Sequence, residues 1–259
     1  MKKTLFTALT LGLAFTASLG LASDAGHGAP AGAKTMTAAE AMKTAVAGND
    51  EFKKHHDSHY FDAYQTGQAP SLTVIGCSDS RVHTDLFGID PHNNIFMIRN
   101  IGNQLKTAEG SVDYGVRHLP TRVLLILGHS SCGAIKAAMG DYSGETAGIR
   151  SELDSLKPVI AGGPKGDFNL RWAQNVERNV DYQVKEAMKL YADKVKAGEL
   201  TIVGGIYDFN NVYGKGRGTL VVTNIGGETN LGAMVDNPVM KDLAKAQAVT
   251  HVGSIAPAM

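Results

Sequence analysis

The sequence predicts an α/β fold in which a central, mostly parallel β-sheet with an antiparallel edge strand is flanked by helices. Short apolar runs alternate with helical patterns, which is typical of parallel βαβ units. The predicted strands cover residues 72–76, 95–99, 123–128 and 201–207, with a final edge strand at 218–223. The chain of 259 residues is long enough for one such domain, and no internal repeat or second domain is visible.

The first residues have the layout of a secretory signal peptide. Lys2 and Lys3 precede an apolar run at residues 5–21, which ends in small residues at Ala22. We predict that residues 1–22 are removed and that the mature protein is periplasmic. The alternative is an uncleaved membrane anchor, but the run contains several threonines and falls short of the ~20 strongly apolar residues that a span needs.

The region after the leader is a short linker followed by one folded domain. Residues 23–34 are small and flexible, so they predict a linker, and residues 35–259 form the domain. Thr37 and Glu40 fit a capping box, with apolar residues at helical spacing up to about Lys54.

Two further helices are predicted around the strands. One covers residues 108–119, and a ladder of apolar residues from Trp172 to Val195 predicts a long core helix rather than a cofactor site. The glycine-rich stretch at residues 214–218 lacks the spacing of a phosphate-binding loop and predicts a hairpin turn. The stretch at 162–166 predicts a loop between helices.

The charge balance excludes some classes of partner. The chain has 25 acidic and 25 basic residues, which argues against nucleic acid or an anionic membrane surface as the partner.

Three potential metal ligands follow two of the predicted strands. Cys77 comes directly after one strand, whereas His129 and Cys132 come after another. Open α/β sheets place their ligands at the carboxyl ends of the strands. Two thiolates and one imidazole suit Zn²⁺, with a carboxylate or water left for the fourth position, and an open position implies catalysis. The alternative in an exported protein is a disulfide between the two cysteines of the chain.

The pattern Cys77-x-Asp79-x-Arg81, followed by His129-x-x-Cys132-Gly133, resembles the signature of the β-class carbonic anhydrases. The likeness covers most of the chain after the leader and includes the stretches at residues 48–52, 68–70, 99–103, 110–114 and 204–208. The resemblance implies zinc-dependent, reversible hydration of carbon dioxide to bicarbonate and a proton by zinc-bound hydroxide. It also implies one Zn²⁺ per chain, held by Cys77, His129 and Cys132.

Asp79 and Arg81 are the predicted catalytic dyad. Residues two apart in a loop at a strand end can form a bidentate carboxylate–guanidinium pair. The resemblance implies that the paired Asp79 accepts the proton of the zinc-bound hydroxide, and that a released Asp79 becomes the fourth zinc ligand in a closed form. The alternative for this pair is an ordinary surface salt bridge.

The resemblance also implies a substrate pocket and a second anion site. Gln68 would donate a hydrogen bond to bicarbonate, and the N–H of Gly133, at a helix start, would meet an oxyanion. Phe96, Ile101 and Tyr114 would form an apolar wall, although Phe96 and Ile101 also fit a plain core.

A non-catalytic bicarbonate pocket is the feature of the family that the sequence supports least. Arg99 and Tyr207 match that pocket, but Val74 replaces its expected tryptophan.

Several alternatives stay open. The resemblance implies a homodimer or homotetramer with pockets at the subunit boundary. The same zinc site would also serve hydrolysis of carbonyl sulfide or carbon disulfide, and a zinc-stabilised binding protein is the non-enzymatic alternative. His83 and His92 are candidate proton shuttles, and His55 with His59 would form a second metal site if one helix held both.

Overall fold

The computed structural model describes residues 35–255, which form a five-stranded sheet in the order β2-β1-β3-β4-β5. The strands are β1 Leu72–Cys77, β2 Ile95–Asn100, β3 Val123–His129, β4 Thr201–Asp208 and β5 Thr219–Ile225. The first four run parallel, and β5 pairs antiparallel with β4. The predicted fold class is confirmed. The predicted leader and most of the linker lie outside the described residues and stay predictions.

The register of the sheet brings the carboxyl ends of the parallel strands together. Leu72 in β1 pairs with Ile95 in β2 and with Val123 in β3, and Val123 pairs with Thr201 in β4. Because parallel strands that start level also end level, the residues that follow β1, β3 and β4 meet at one edge of the sheet.

Helices cover both faces of the sheet. The helices of residues 35–255 are α1 Ala38–His55, α2 Glu109–Asp113, α3 Gly133–Ala138, α4 Ala147–Asp154, α5 Lys157–Ala161, α6 Phe168–Leu190, α7 Ala192–Lys196, α8 Leu231–Val235 and α9 Lys245–His251, and all but α1 contribute to covering the sheet or the helices next to it. Side chains alternate between the faces along each strand, so Ile75 belongs to the core under α6, whereas Val74 belongs to the core on the opposite face.

Helix α6 packs very close to the sheet. Val176, Val180 and Val184 on its inner face are buried, which confirms the predicted core ladder. A Cβ added at Gly204 in β4 would lie 2.6 Å from a methyl group of Val180, and one added at Gly128 in β3 would lie 2.8 Å from the other. The glycines therefore permit this close approach.

The predicted helices at 108–119 and 172–195 are each interrupted. The first consists of a 3-10 turn at Lys106–Ala108, then α2, then a π-helical turn at Tyr114–His118. A Cβ at Gly115 would lie 2.7 Å from Thr73 Oγ1, so the backbone is drawn against the sheet where the helix type changes. The second ends at Leu190, and Tyr191 separates α6 from α7.

Helix α1 begins as the sequence predicts but contributes nothing to the core. The Thr37 side chain accepts from the N–H of Glu40, and Glu40 accepts from the N–H of Thr37, which completes the capping box. None of the residues of Ala38–His55 is buried. Over residues 35–255, no helix is both long enough and apolar enough to cross a membrane.

Candidate metal centre

The three predicted metal ligands meet at the carboxyl edge of the sheet. Cys77 is the last residue of β1, His129 is the last residue of β3, and Cys132 caps the start of α3. Their ligand atoms all lie within 4.8 Å of one another, and all three residues are buried. The β1-β3 pairing brings the two separate motifs together, as expected for strand ends in a parallel sheet.

His129 is oriented to offer one ring nitrogen to the cluster. Its Nδ1 lies 3.0 Å from the carbonyl oxygen of Ser130, which assigns the N–H to Nδ1 and leaves Nε2 as an acceptor. Nε2 is buried and has no hydrogen-bond partner among residues 35–255. A buried acceptor of this kind is costly unless a cation binds it, so the imidazole fits a metal ligand.

The thiols of Cys77 and Cys132 form a pair in which Cys77 ionises easily and Cys132 stays protonated. The hydrogen bond from the Cys132 thiol lowers the pKa of Cys77 to about 4, with a smaller contribution from His129. The same contact and burial raise the pKa of Cys132 well above its usual value. Both thiols are free rather than joined in a disulfide. A cation is needed to hold both as thiolates, and two thiolates with one imidazole suit Zn²⁺.

Backbone hydrogen bonds brace the loop that follows β1. The guanidinium of Arg99 donates to the carbonyl oxygen of Cys77 at 3.0 Å and to that of Asp79 at 2.7 Å. The N–H of Gly102 donates to Cys77 Sγ at 3.4 Å, which also helps to lower the pKa of that thiol. Arg99, which the sequence assigned to a second bicarbonate pocket, therefore has a structural function next to the cluster.

Asp79 and Arg81 form the predicted bidentate pair. Nε of Arg81 donates to Asp79 Oδ1 at 2.8 Å, and an NH2 group donates to Oδ2 at 2.7 Å. These bonds lower the pKa of Asp79 to about 2. Oδ2 also lies 3.9 Å from His129 Nε2, so the carboxylate reaches the cluster. The pair is present, and its catalytic role stays a prediction.

The predicted pocket residues are not all gathered at the cluster. Ile101 precedes Gly102, which contacts Cys77, and Gly133 follows Cys132. Phe96 and Tyr114 pack together with their ring centroids 5.8 Å apart. Gln68 is exposed, and Tyr114 retains 49% of its accessible surface.

Sequence reasoning missed two aromatic side chains that contact the cluster. The indole N–H of Trp172 donates to the carbonyl oxygen of Cys132 at 2.8 Å, although the ladder assigned this residue to the core alone. The ring of Phe209 stacks on that of His129 with centroids 5.7 Å apart. Phe209 directly follows β4, and knowledge of the strand order would have placed it beside His129.

The surface histidines do not form the second metal site. Helix α1 ends at His55, so His55 and His59 do not share one helical face, and that alternative is wrong. His59 Nδ1 contacts Asp62 at 2.8 Å, and His92 Nδ1 contacts Asp90 at 2.9 Å. His83 contacts Arg99 at 3.3 Å.

Comparison with known proteins identifies similar sequences. Residues 72–215, more than half of the chain, match a family model described as carbonic anhydrase. Carbonic anhydrase 2 of Mycobacterium tuberculosis is 28% identical over 203 residues, which cover 73% of this chain and 96% of that protein. A carbonic anhydrase of Mycolicibacterium smegmatis is 31% identical over 147 residues, covering 54% of this chain and 71% of that protein.

Solved structures with the same fold are also found. One comes from work on two tetrameric β-carbonic anhydrases of Sordaria macrospora, with a TM-score of 0.62, 25% identity, and coverage of 71% of this chain and 96% of that one. Another is a Coccomyxa β-carbonic anhydrase in complex with acetazolamide, with a TM-score of 0.57, 27% identity, and coverage of 67% and 83%.

Proposed function

This chain belongs to the β class of the carbonic anhydrase family, and from that premise we propose that it catalyses the reversible hydration of carbon dioxide to bicarbonate and a proton. One observation carries the proposal. The buried cluster of Cys77, His129 and Cys132 lies directly beside the ionised Asp79–Arg81 pair. Metal ligands beside a carboxylate that accepts a hydrogen bond from the reacting water form an arrangement suited to activating water at neutral pH.

Zn²⁺ is the cation that the cluster fits, held by Cys77, His129 and Cys132. Two sulfur atoms and one nitrogen form a donor set that zinc accepts, with a fourth position left over. When bound, zinc supplies a Lewis acid that lowers the pKa of water to about 7, so that hydroxide forms near neutral pH. The Ser130 carbonyl contact keeps the His129 ring in the tautomer that leaves Nε2 available.

Asp79 would accept a hydrogen bond from the reacting water and fix its orientation. With a pKa of about 2, the carboxylate is ionised over the neutral range and offers acceptor oxygens. Arg81 holds both carboxylate oxygens, so the direction of the free lone pairs is set. Since Asp79 Oδ2 lies only 3.9 Å from His129 Nε2, release from Arg81 would let Asp79 become the fourth metal ligand and close the site.

The pocket wall is proposed to be completed in a homodimer or homotetramer. Tyr114 is half exposed and Gln68 is exposed, so neither is enclosed within one chain. Helix α1 has no buried residue of its own. The related β-carbonic anhydrases of Sordaria macrospora are tetrameric. A partner chain would cover these surfaces and form a dry, apolar entrance suited to carbon dioxide.

Export to the periplasm is proposed from the leader sequence alone. The basic residues and apolar run within residues 1–22 support it. Cell fractionation with mass spectrometry of the amino terminus would test it, and a chain that retains Met1 would count against cleavage.

The proposed activity is tested by stopped-flow hydration of carbon dioxide from about pH 6.5 to 9, with the zinc content of each sample quantified. An Asp79→Ala variant should lose about 100- to 10,000-fold in kcat/KM and keep its zinc, because the carboxylate that accepts a hydrogen bond from the reacting water is gone. Asp85→Ala is the matched control, since Asp85 is an exposed acidic residue in the turn at Thr84–Phe87.

Two outcomes would contradict the proposal. No hydration at any pH by a protein with one zinc per chain would exclude carbonic anhydrase activity and direct the assays to carbonyl sulfide and carbon disulfide. Equal rates for the Asp79 and Asp85 variants would exclude Asp79 as the hydrogen-bond acceptor of the reacting water.

A further inference from the structure

Phe209 contacts both parts of the proposed catalytic machinery. It follows β4, whose residue Tyr207 pairs with His129 in β3, so the end of β4 lies beside the histidine ligand. The ring of Phe209 stacks on the His129 ring at an interplanar angle of 29°. The guanidinium carbon of Arg81 lies over the Phe209 ring, 4.5 Å from its centroid. One half-buried ring therefore links a metal ligand to the dyad arginine.

We propose that Phe209 is a positioning residue that holds the Arg81 guanidinium against its ring and thereby keeps Asp79 paired with Arg81. This inference rests on the proposed function, because it makes Phe209 one of the groups that decide whether Asp79 stays paired with Arg81 or binds the metal. Asp79 Oδ2 lies 2.7 Å from Arg81 and 3.9 Å from His129 Nε2, so a small movement of Arg81 would free the carboxylate to turn toward the metal-binding cluster.

The ion pair alone does not fix Arg81 firmly. The Arg81 side chain is 52% exposed, and an ion pair in contact with water contributes little because the charges are well solvated. An aromatic face supplies a second attraction for the guanidinium and excludes water from one side of it. The contact with the Phe209 ring therefore stabilises the Asp79–Arg81 pair, which solvent exposure of Arg81 weakens.

The loop that bears Phe209 is fixed on both sides of the ring. On one side, the N–H of Asn210 donates to Ser130 Oγ at 3.2 Å, and its side-chain amide donates to the hydroxyl oxygen of Ser131. On the other, Asp208 Oδ2 accepts from the N–H of Tyr213 at 2.9 Å. The two bonds from Asn210 attach the loop directly to the segment between His129 and Cys132, and the bond from Tyr213 to Asp208 closes the loop on itself. The ring is therefore held at a fixed place relative to the segment that bears His129 and Cys132, as a positioning residue must be.

Tyr213 extends this attachment into the core. Its hydroxyl donates to the carboxylate of buried Glu177 at 2.5 Å, and the N–H of Ile255 also donates to that carboxylate at 2.9 Å. The loop, helix α6 and the last described residues are therefore joined at one buried group. The position of Phe209 is therefore fixed by hydrogen bonds between its loop and the core, and the loop is not a free surface segment.

Arginine reactivity tests the proposal without relying on turnover. Phenylglyoxal modification of Arg81, followed by peptide mass spectrometry, would be compared in the wild type, Phe209→Leu and Phe209→Tyr. Loss of the aromatic face should raise the rate at Arg81 roughly two- to fivefold, and tyrosine should restore it. Arg117 is the internal control, because its guanidinium lies 5.2 Å from the Tyr191 ring centroid and contacts neither Phe209 nor Asp79.

Hydration kinetics add a second readout on zinc-loaded protein. Phe209→Leu should lower kcat/KM roughly two- to fivefold at unchanged zinc content, and Phe209→Tyr should recover it. If Phe209→Leu does not fold, Phe209→Met replaces it as a non-aromatic side chain of similar volume.

The possible outcomes separate this proposal from the activity on which it rests. Equal Arg81 rates in the wild type and the leucine variant would overturn the positioning role, and so would a parallel rise at Arg81 and Arg117. A wild type that does not hydrate carbon dioxide would overturn the proposed function, while the Arg81 rates would still decide whether Phe209 holds the guanidinium.

Discussion

The carboxyl edge of the sheet and helix α1 differ sharply in how much each depends on the rest of its own chain. At the sheet edge, Cys77, His129 and Cys132 are buried and their neighbours are held by many hydrogen bonds. Helix α1 is well capped, yet it leaves apolar Met42 64% exposed and Val46 56% exposed. The three candidate metal ligands come together within one chain, whereas α1 satisfies its backbone hydrogen bonds locally and leaves apolar side chains exposed.

The largest effect is expected from a substitution in the buried cluster at the carboxyl edge of the sheet. His129→Gln removes an imidazole ligand, so zinc content should drop sharply and hydration should fall by at least about a thousandfold. Elemental analysis and stopped-flow kinetics measure both. His251→Gln is the matched control, since Nδ1 of both histidines contacts a main-chain carbonyl oxygen, at 3.0 Å for His129 and 2.7 Å for His251. Full zinc occupancy in His129→Gln would exclude His129 as a ligand.

The second prediction tests the exposed apolar side chains of α1 by replacing them with charged ones. The double variant Met42→Glu with Val46→Glu should dissociate the oligomer, because charged side chains on its apolar surface oppose burial against a partner. Hydration should fall about tenfold through loss of the pocket wall, at unchanged zinc content. Light scattering reports the mass, and Lys43→Glu controls for charge on the same helix. An unchanged mass for the double variant would remove α1 from the interface.

The close packing of α6 on the sheet gives a third test. Gly204→Ala forces a methyl group to within 2.6 Å of Val180, and it should lower the free energy of unfolding by about 1–3 kcal/mol. Urea denaturation measures this change.

Gly48→Ala is the contrasting variant in α1. An added Cβ at Gly48 meets nothing within 4 Å, so alanine should stabilise α1 by about 0.5–1 kcal/mol through helix propensity alone. Circular dichroism should show more helix. Destabilisation by Gly48→Ala equal to that by Gly204→Ala would contradict the difference between the two regions.

The last test is a pH dependence of stability at Asp181, a buried residue of helix α6. Burial raises the pKa of Asp181 to about 6, although Asn224 donates a hydrogen bond to it. The native state therefore binds a proton more tightly than the unfolded chain, and this contribution to stability is present below about pH 4 and lost as the pH rises through about 6.

Asp181→Asn should consequently stabilise the protein by about 1–2 kcal/mol at neutral pH and by little near pH 4. Urea midpoints at several pH values measure the difference. Asp193→Asn is the opposite case, because Arg117 lowers the pKa of Asp193 and its removal brings no gain at neutral pH. A stability gain in Asp181→Asn that does not vary with pH would contradict the titration of Asp181.

Much of the site could be predicted because its signals are local. The strands were predicted because apolar runs and turn residues mark them in sequence, and Cys77 and His129 each end one. The Asp79–Arg81 pair was predicted because two residues in one loop need no knowledge of the fold. Phe209 and Trp172 were missed because their contacts with the cluster depend on strand order and helix placement.

The sequence by itself determined the family, the zinc-type donor set, the capped start of α1 and the parallel sheet, because each follows from residue types at short spacing. Only the tertiary structure decided that three ligands from two distant motifs lie within 4.8 Å, that Arg99 braces the loop after β1, and that the helix after Leu105 changes type against Thr73. These features depend on which surfaces meet when the sheet assembles. Local propensity does not contain that information, because packing between distant segments sets it.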